Sequence, residues 1–105
     1  MDAAPPKNCD GCFALVRANG TIVKQRNVGT VYKNGPGGYL LVFNYSVNKC
    51  ALSANIDSLV MEQNVRLGFI SISRASNTSV WVDIYAPTGG GVYAVDFPFS
   101  IVATC

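Results

Sequence analysis

Two cysteines three positions apart, in the stretch "NCDGCFALV", are the first residues of this 105-residue chain whose type and spacing suit chemistry. A Cys-x-x-Cys pair serves as a dithiol redox centre, as half of a zinc site or as a covalent staple. A redox centre of the thioredoxin kind needs its first thiol at a helix N-terminus, where the dipole stabilises the thiolate. Here Pro5-Pro6 precedes the pair and a strand-like run, Phe13-Ala14-Leu15-Val16, follows it. A zinc site would have to gather Cys9, Cys12, Cys50 and Cys105, because the chain contains no histidine. The second close pair typical of structural zinc sites is missing. An even cysteine count in a small β domain points instead to two disulfides. Four cysteines allow three pairings, and spacing alone does not choose among them. Cys9 could bond Cys12, or each could reach further along the chain or to a neighbouring one. No metal or cofactor is expected.

Catalysis is poorly supplied. Without histidine there is no conventional triad and no imidazole base. Six carboxylates are present, and Asp83 and Asp96 fall on neighbouring candidate strands, where a glycosidase pair could in principle be built. Solvent exposure, or pairing with Arg66 or Arg74, is the expectation for both, and the chain is read as not an enzyme. The glycine clusters Gly35-Pro36-Gly37-Gly38 and Gly89-Gly90-Gly91 lack the Lys-Ser/Thr of a phosphate-cradling loop and open no helix. They read as hairpin loops.

Binding is better supplied. Tyr32, Tyr39, Tyr45, Trp81, Tyr85 and Tyr93 each join an apolar ring to a polar handle, which suits core, interface and sugar stacking alike. Trp81 and Tyr85 share a strand face with Asp83, so that face is not a simple core face. Charge is unevenly placed within a net +2: no acidic residue occurs from Gly11 to Ile56, where Arg17, Lys24, Arg26, Lys33 and Lys49 all lie. The segment Asp57–Cys105 sets Arg66 and Arg74 against Asp57, Glu62, Asp83 and Asp96. A basic half can attract polyanions, and the ligand-binding candidates are therefore Arg17, Lys24, Arg26, Lys33 and Lys49 for charge with Trp81 and Tyr85 for stacking. The bland alternative is a set of scattered, solvated cations. Asn19-Gly20-Thr21, Asn44-Tyr45-Ser46 and Asn77-Thr78-Ser79 match the N-glycosylation sequon, which matters only after secretion through a eukaryotic pathway.

The elements that must carry these residues are strands. Alternation places Tyr39, Leu41, Phe43, Tyr45 and Val47 on one face. It does the same for Phe97, Phe99, Ile101 and Ala103, and for Val80, Val82 and Ile84. Further strands are expected over residues 13–17, 21–24, 28–33, 67–74 and 92–95. Pro98 cannot donate a ladder hydrogen bond and suggests an edge or a bulge. Asn19-Gly20 predicts a two-residue hairpin turn, while Asn34–Gly38 and Pro87–Gly91 predict longer ones. Only residues 56–63 carry a helical pattern, and Ser58-Leu59-Val60-Met61 is too short to define a helix. About eight short strands with regular turn signals read as an antiparallel sandwich or barrel.

Size and composition bound the rest. One domain fits the length. Half the residues are hydrophobic and 13% are charged, against roughly a quarter charged in a typical soluble domain. So little charge leaves either a Ser/Thr/Asn/Gly-rich surface or burial against other copies, and an oligomer is expected. No run reaches the roughly 18 apolar residues of a membrane span. Residues 1–8 read as a linker or leader before a single β domain over 9–105. The first residues lack the apolar centre of a signal peptide, so the domain is expected to end a longer secreted chain.

Three segments together carry a resemblance: "FALVRANGTIVKQRNVGTVYKNGPGGYLLVFNYSVNKCALSANI", "RLGFISISRASNTSVWVDIYAPTGG" and "DFPFSIVATC". They resemble a small cysteine-containing β domain at the C-terminal ends of secreted bacterial proteins, including collagen-like and fibre-like surface proteins. The likeness covers residues 13–105 and is a pattern of strands and cysteines. It implies that Cys50 pairs with Cys105; Cys9 and Cys12 lie outside it. It further implies a non-catalytic head that trimerises at the cell surface and binds glycans, sulfated polysaccharides among them.

The expectation is thus an all-β, antiparallel β-sandwich or jelly-roll-like domain, assembling as a homotrimer, secreted or at the cell surface. Its partners would be a glycan or polyanionic polysaccharide, with no nucleic acid and no membrane insertion. The competing readings are a purely structural oligomerisation module and a small disulfide-stapled secreted effector.

Overall fold

The computed structural model describes residues 8–57 and 68–105. Nine strands run in order: β1 Phe13–Val16, β2 Ile22–Arg26, β3 Val28–Lys33, β4 Gly38–Phe43, β5 Ala51–Ile56, β6 Phe69–Arg74, β7 Ser79–Thr88, β8 Gly91–Ala94 and β9 Phe99–Thr104. No helix occurs among the described residues. The helical turn considered for residues 56–63 lies, apart from Ile56 and Asp57, outside them.

The strands form two antiparallel sheets, ordered β2-β1-β9-β5 (sheet I) and β3-β4-β7-β6 (sheet II), with β8 paired to the far end of β7. Alternation decides which side chains meet between them. Ala14 and Val16 of β1, with Phe99, Ile101 and Ala103 of β9, are buried from sheet I. Tyr39, Leu41 and Phe43 of β4, with Val80, Val82 and Ile84 of β7, are buried from sheet II. These side chains make one hydrophobic cluster, as two period-2 strands packed face to face require. Full burial of a residue such as Leu41, Ile84 or Ile101 stabilises the fold by about 1.5–3 kcal/mol. The two sheets touch directly where Tyr39 meets Phe99, ring centroids 4.8 Å apart.

Several local expectations change. The strand β5 is absent from the sequence reading; its alternating Leu52, Ala54 and Ile56 pack half-buried against the core. The β1–β2 turn holds three residues rather than two. Arg17 N–H donates to Thr21 O, Gly20 N–H donates to Arg17 O, and Gly20 takes φ +92°. That is a type I turn closed by a positive-φ glycine, and the register slips between Leu15 and Val16 beside it. Pro98 marks neither an edge nor a bulge. It precedes β9, which is central in sheet I, and its carbonyl accepts from Asp57 N–H at 2.9 Å.

Two disulfides staple the sandwich. Cys50–Cys105 joins the loop before β5 to the end of β9, across 55 positions of sequence. Cys9–Cys12 closes a tight loop whose Gly11 has φ +79°. Gly11 N–H donates to Ala103 O, and Ala103 N–H donates to Cys12 O, so this loop extends the β9 ladder past Phe13.

Removing each staple by paired Cys→Ala substitution should rank them by loop length. Loss of Cys50–Cys105 is expected to cost about 4 kcal/mol and loss of Cys9–Cys12 about 2 kcal/mol, read from urea midpoints. In the same assay Gly37→Ala should cost more than about 1 kcal/mol. Gly37 has φ +69°, and a Cβ there would sit 2.4 Å from Ile84 O.

Candidate functional site

Both cysteine pairs are disulfide-bonded, and Cys9–Cys12 runs into strand β1, with no helix there whose N-terminus could stabilise a thiolate. The described residues contain no group of three metal-ligating side chains and no pocket. What they offer are open sheet faces, strand edges and the β7–β8 arm.

The basic candidates do not converge. Lys24 and Arg26 lie on edge strand β2, opposite Leu15 and Phe13, and so point outward from sheet I. Arg17 sits at the hairpin turn beyond β1, and Lys49 is exposed in the loop before β5, the strand at the other edge of that sheet. Lys33 is not free. Its Nζ lies 2.6 Å from Asp96 Oδ1 and 4.9 Å above the centre of the Tyr39 ring. Trp81 and Tyr85 are on sheet II, facing away from the sandwich. Of the charge set, only Lys24 and Arg26 share an outer face, and it is the one opposite Trp81 and Tyr85.

The outer face of sheet II is built by register. Along β7, Val80, Val82 and Ile84 are buried while Trp81, Asp83 and Tyr85 alternate outward. Antiparallel partners share a face, so Tyr32, Leu40, Trp81 and Ser73 form one row across four strands. The next row holds Gly38, Asp83 and Ser71, and the one after it Tyr85 and Phe69. Tyr32 is 57% exposed and Phe69 53%. Sequence alternation alone joins Trp81, Asp83 and Tyr85. Bringing Tyr32, Leu40 and Phe69 beside them needs strand order and register, which no spacing in the chain gives.

The two carboxylates considered for catalysis part company. Asp83 faces outward from β7, whereas Asp96, in the β8–β9 connection, is held by other groups. It accepts from Gly37 N–H at 2.7 Å, faces Lys33, and lies 3.5 Å from the Tyr39 hydroxyl, which itself donates to Ala18 O at 2.6 Å. Burial pushes the Asp96 carboxyl up; the Lys33 ammonium, the Gly37 N–H and the Tyr39 hydroxyl outweigh it and hold it below its ordinary value. Among the described residues its partner is thus Lys33 and not Arg74; Arg66 lies outside them. Arg74 instead donates from its guanidinium to Val47 O and Cys50 O, tying β6 to the loop that carries one disulfide.

Taken together the chain is a doubly stapled antiparallel sandwich with an aromatic outer face on one sheet and a basic edge on the other. Compared with family models, curated protein sequences and solved structures, it matches none.

The Asp96 network sets a pH dependence. A carboxyl held below its unfolded value adds stability that is present above the unfolded value, near pH 4, and is lost as pH falls through the folded one. Asp96→Asn should therefore be less stable than the parent from pH 5 to 8, with the gap closing below about pH 4. Thermal melts across that range read it directly.

Proposed function

We propose that this chain is a non-catalytic extracellular binding head that self-associates, as a trimer, and presents its aromatic sheet face to glycans. The row Tyr32–Leu40–Trp81–Ser73 with Asp83 beside it carries the reading, since an exposed Tyr32 ring and a half-buried Trp81 ring, flanked by hydroxyl and carboxylate groups, suit the faces and edges of sugar rings. Two disulfides in a small β domain fit an oxidising compartment, in keeping with secretion or display at a cell surface.

Self-association draws support from the other side of the molecule. The outer face of sheet I carries the rows Arg26–Phe13–Val102 and Lys24–Leu15–Ser100, so its apolar centre, with Val102 40% exposed, is flanked by cations on β2. Beyond the Lys24 and Arg26 edge, Phe13, Leu15 and Val102 form an apolar strip that a second and third copy would cover. The trimer and the collagen-like or fibre-like parent come from the resemblance over residues 13–105. A jelly-roll-like wrap is compatible with the topology, in which first strand β1 and last strand β9 are neighbours and the chain crosses between sheets four times.

Light scattering coupled to size exclusion should give three times the 11.2 kDa chain mass at micromolar concentration. Val102→Lys, which puts a charge in the apolar strip of the sheet I face, should shift that mass to one chain while leaving the melting transition cooperative. A parent protein that runs as a monomer removes the trimer from the proposal.

A further inference from the structure

Charge separation on the two sheets narrows the ligand class of that binding face. Among the described residues, the outer face of sheet II carries no lysine or arginine: its polar groups are Asp83 and the hydroxyls of Ser71, Ser73, Ser79, Thr30, Tyr32 and Tyr85. Lys24 and Arg26 point out from sheet I, and Lys33 is turned to the core side against Asp96 and the Tyr39 ring. A sulfated or phosphorylated chain laid across the rings of sheet II would meet one carboxylate and no counter-charge, so like-charge repulsion opposes it.

The dimensions narrow it further. At about 3.3 Å per residue, Trp81 and Tyr85 stand about 13 Å apart along β7, and Tyr32 is two strands, about 10 Å, to the side of Trp81. Asp83 sits midway between Trp81 and Tyr85, with Ser71 opposite it on β6. Rings at the two ends and acceptors in the middle suit a ligand several sugar units long. The surface is open, with no pocket to close over a single sugar.

We propose that the outer face of sheet II binds a neutral, linear glycan running along β7, stacked on Trp81 and Tyr85, with Asp83 accepting hydroxyl hydrogen bonds between them. This rests on the reading of the chain as a glycan-binding head and fixes both the face and the charge class. It also separates the ligand face from the self-association face, so the two occupy different sheets.

Native gels cast with hydroxyethylcellulose, with barley β-glucan or with heparin test it on the full chain. Retardation by at least one of the two neutral polymers is expected. Trp81→Ala should abolish that retardation and Lys24→Ala/Arg26→Ala should leave it intact. Tyr32→Ser/Tyr85→Ser alters only exposed positions and should weaken it, which keeps the test open if Trp81→Ala fails to fold. Retardation by heparin alone, removed by Lys24→Ala/Arg26→Ala, overturns the neutral-glycan assignment while leaving a glycan-binding head standing. Retardation by none of the three polymers overturns both. A fall in scattering mass on Tyr32→Ser/Tyr85→Ser would make this face a subunit interface and overturn the assignment as well.

Discussion

One buried tyrosine holds the two sheets in register with each other. Tyr39 has no exposed surface, so its hydroxyl must find a partner inside or cost free energy on the scale of a lost hydrogen bond. It donates to Ala18 O, in the turn that joins the first two strands of the opposite sheet. Its ring packs on Phe99 of that sheet and lies under the Lys33 ammonium. Lys33 in turn pairs with Asp96, and Asp96 accepts from Gly37 N–H in the loop before Tyr39. The result is a closed set: the β1–β2 turn, the β3–β4 loop and the β8–β9 connection are all located by groups within reach of one ring. Gly37 completes it, because a side chain there would collide with the β7 backbone that Tyr39's neighbours pack against.

Much of this architecture was legible in the chain, for a definite reason. Period-2 alternation with large β-branched and aromatic residues marks strands strongly, and Tyr39–Phe43, Val80–Ile84 and Phe99–Ala103 all face as alternation predicts. β5 escaped because Ala51-Leu52-Ser53-Ala54-Asn55-Ile56 has small and polar residues at the positions where a strand usually shows bulk. Its inward face is real, but Leu52, Ala54 and Ile56 carry a weak signal. The β1–β2 turn was placed correctly and counted wrongly, since Asn-Gly fits both a two-residue turn and the end of a three-residue one. Cys50–Cys105, implied by the resemblance, is formed, and Cys9–Cys12 resolves as a local staple that spacing had left open.

The candidate site was legible in kind and not in place. A run without acids from Gly11 to Ile56 suggests a basic patch, but alternation and sheet crossing scatter its cations. Lys24 and Arg26 go to one outer face, Lys33 to an ion pair, and Arg17 and Lys49 to a turn and a loop. Linear charge density says nothing about faces when consecutive strands belong to different sheets. The aromatic face behaves oppositely. Trp81, Asp83 and Tyr85 were joined by a rule that holds within one strand, and register then added Tyr32 and Phe69 from strands far away in sequence.

Three edges of the sandwich are blunted against strand addition. β2 and β3 are the edges on one side of the sandwich, and they are joined by the single residue Asn27, at φ 58°, which turns the chain from one sheet to the other. β2 exposes Lys24 and Arg26, and β3 shifts register at Gly29, so neither presents a flat apolar ribbon for strand addition. On the opposite side β6 ends in Arg74, whose guanidinium is committed to the Val47 and Cys50 carbonyls next to a disulfide. Charge, a bulge and a cross-brace each blunt an edge that would otherwise recruit another sheet. The exposed large apolar side chains are Tyr32, Phe69, Tyr85 and Val102 on the broad faces, Val92 and Tyr93 on the β7–β8 arm, and Val23 on edge strand β2. β2, β3 and β6 are thus guarded against strand addition, while the exposed rings of Tyr32 and Phe69, though carried by edge strands, point from the broad face of sheet II.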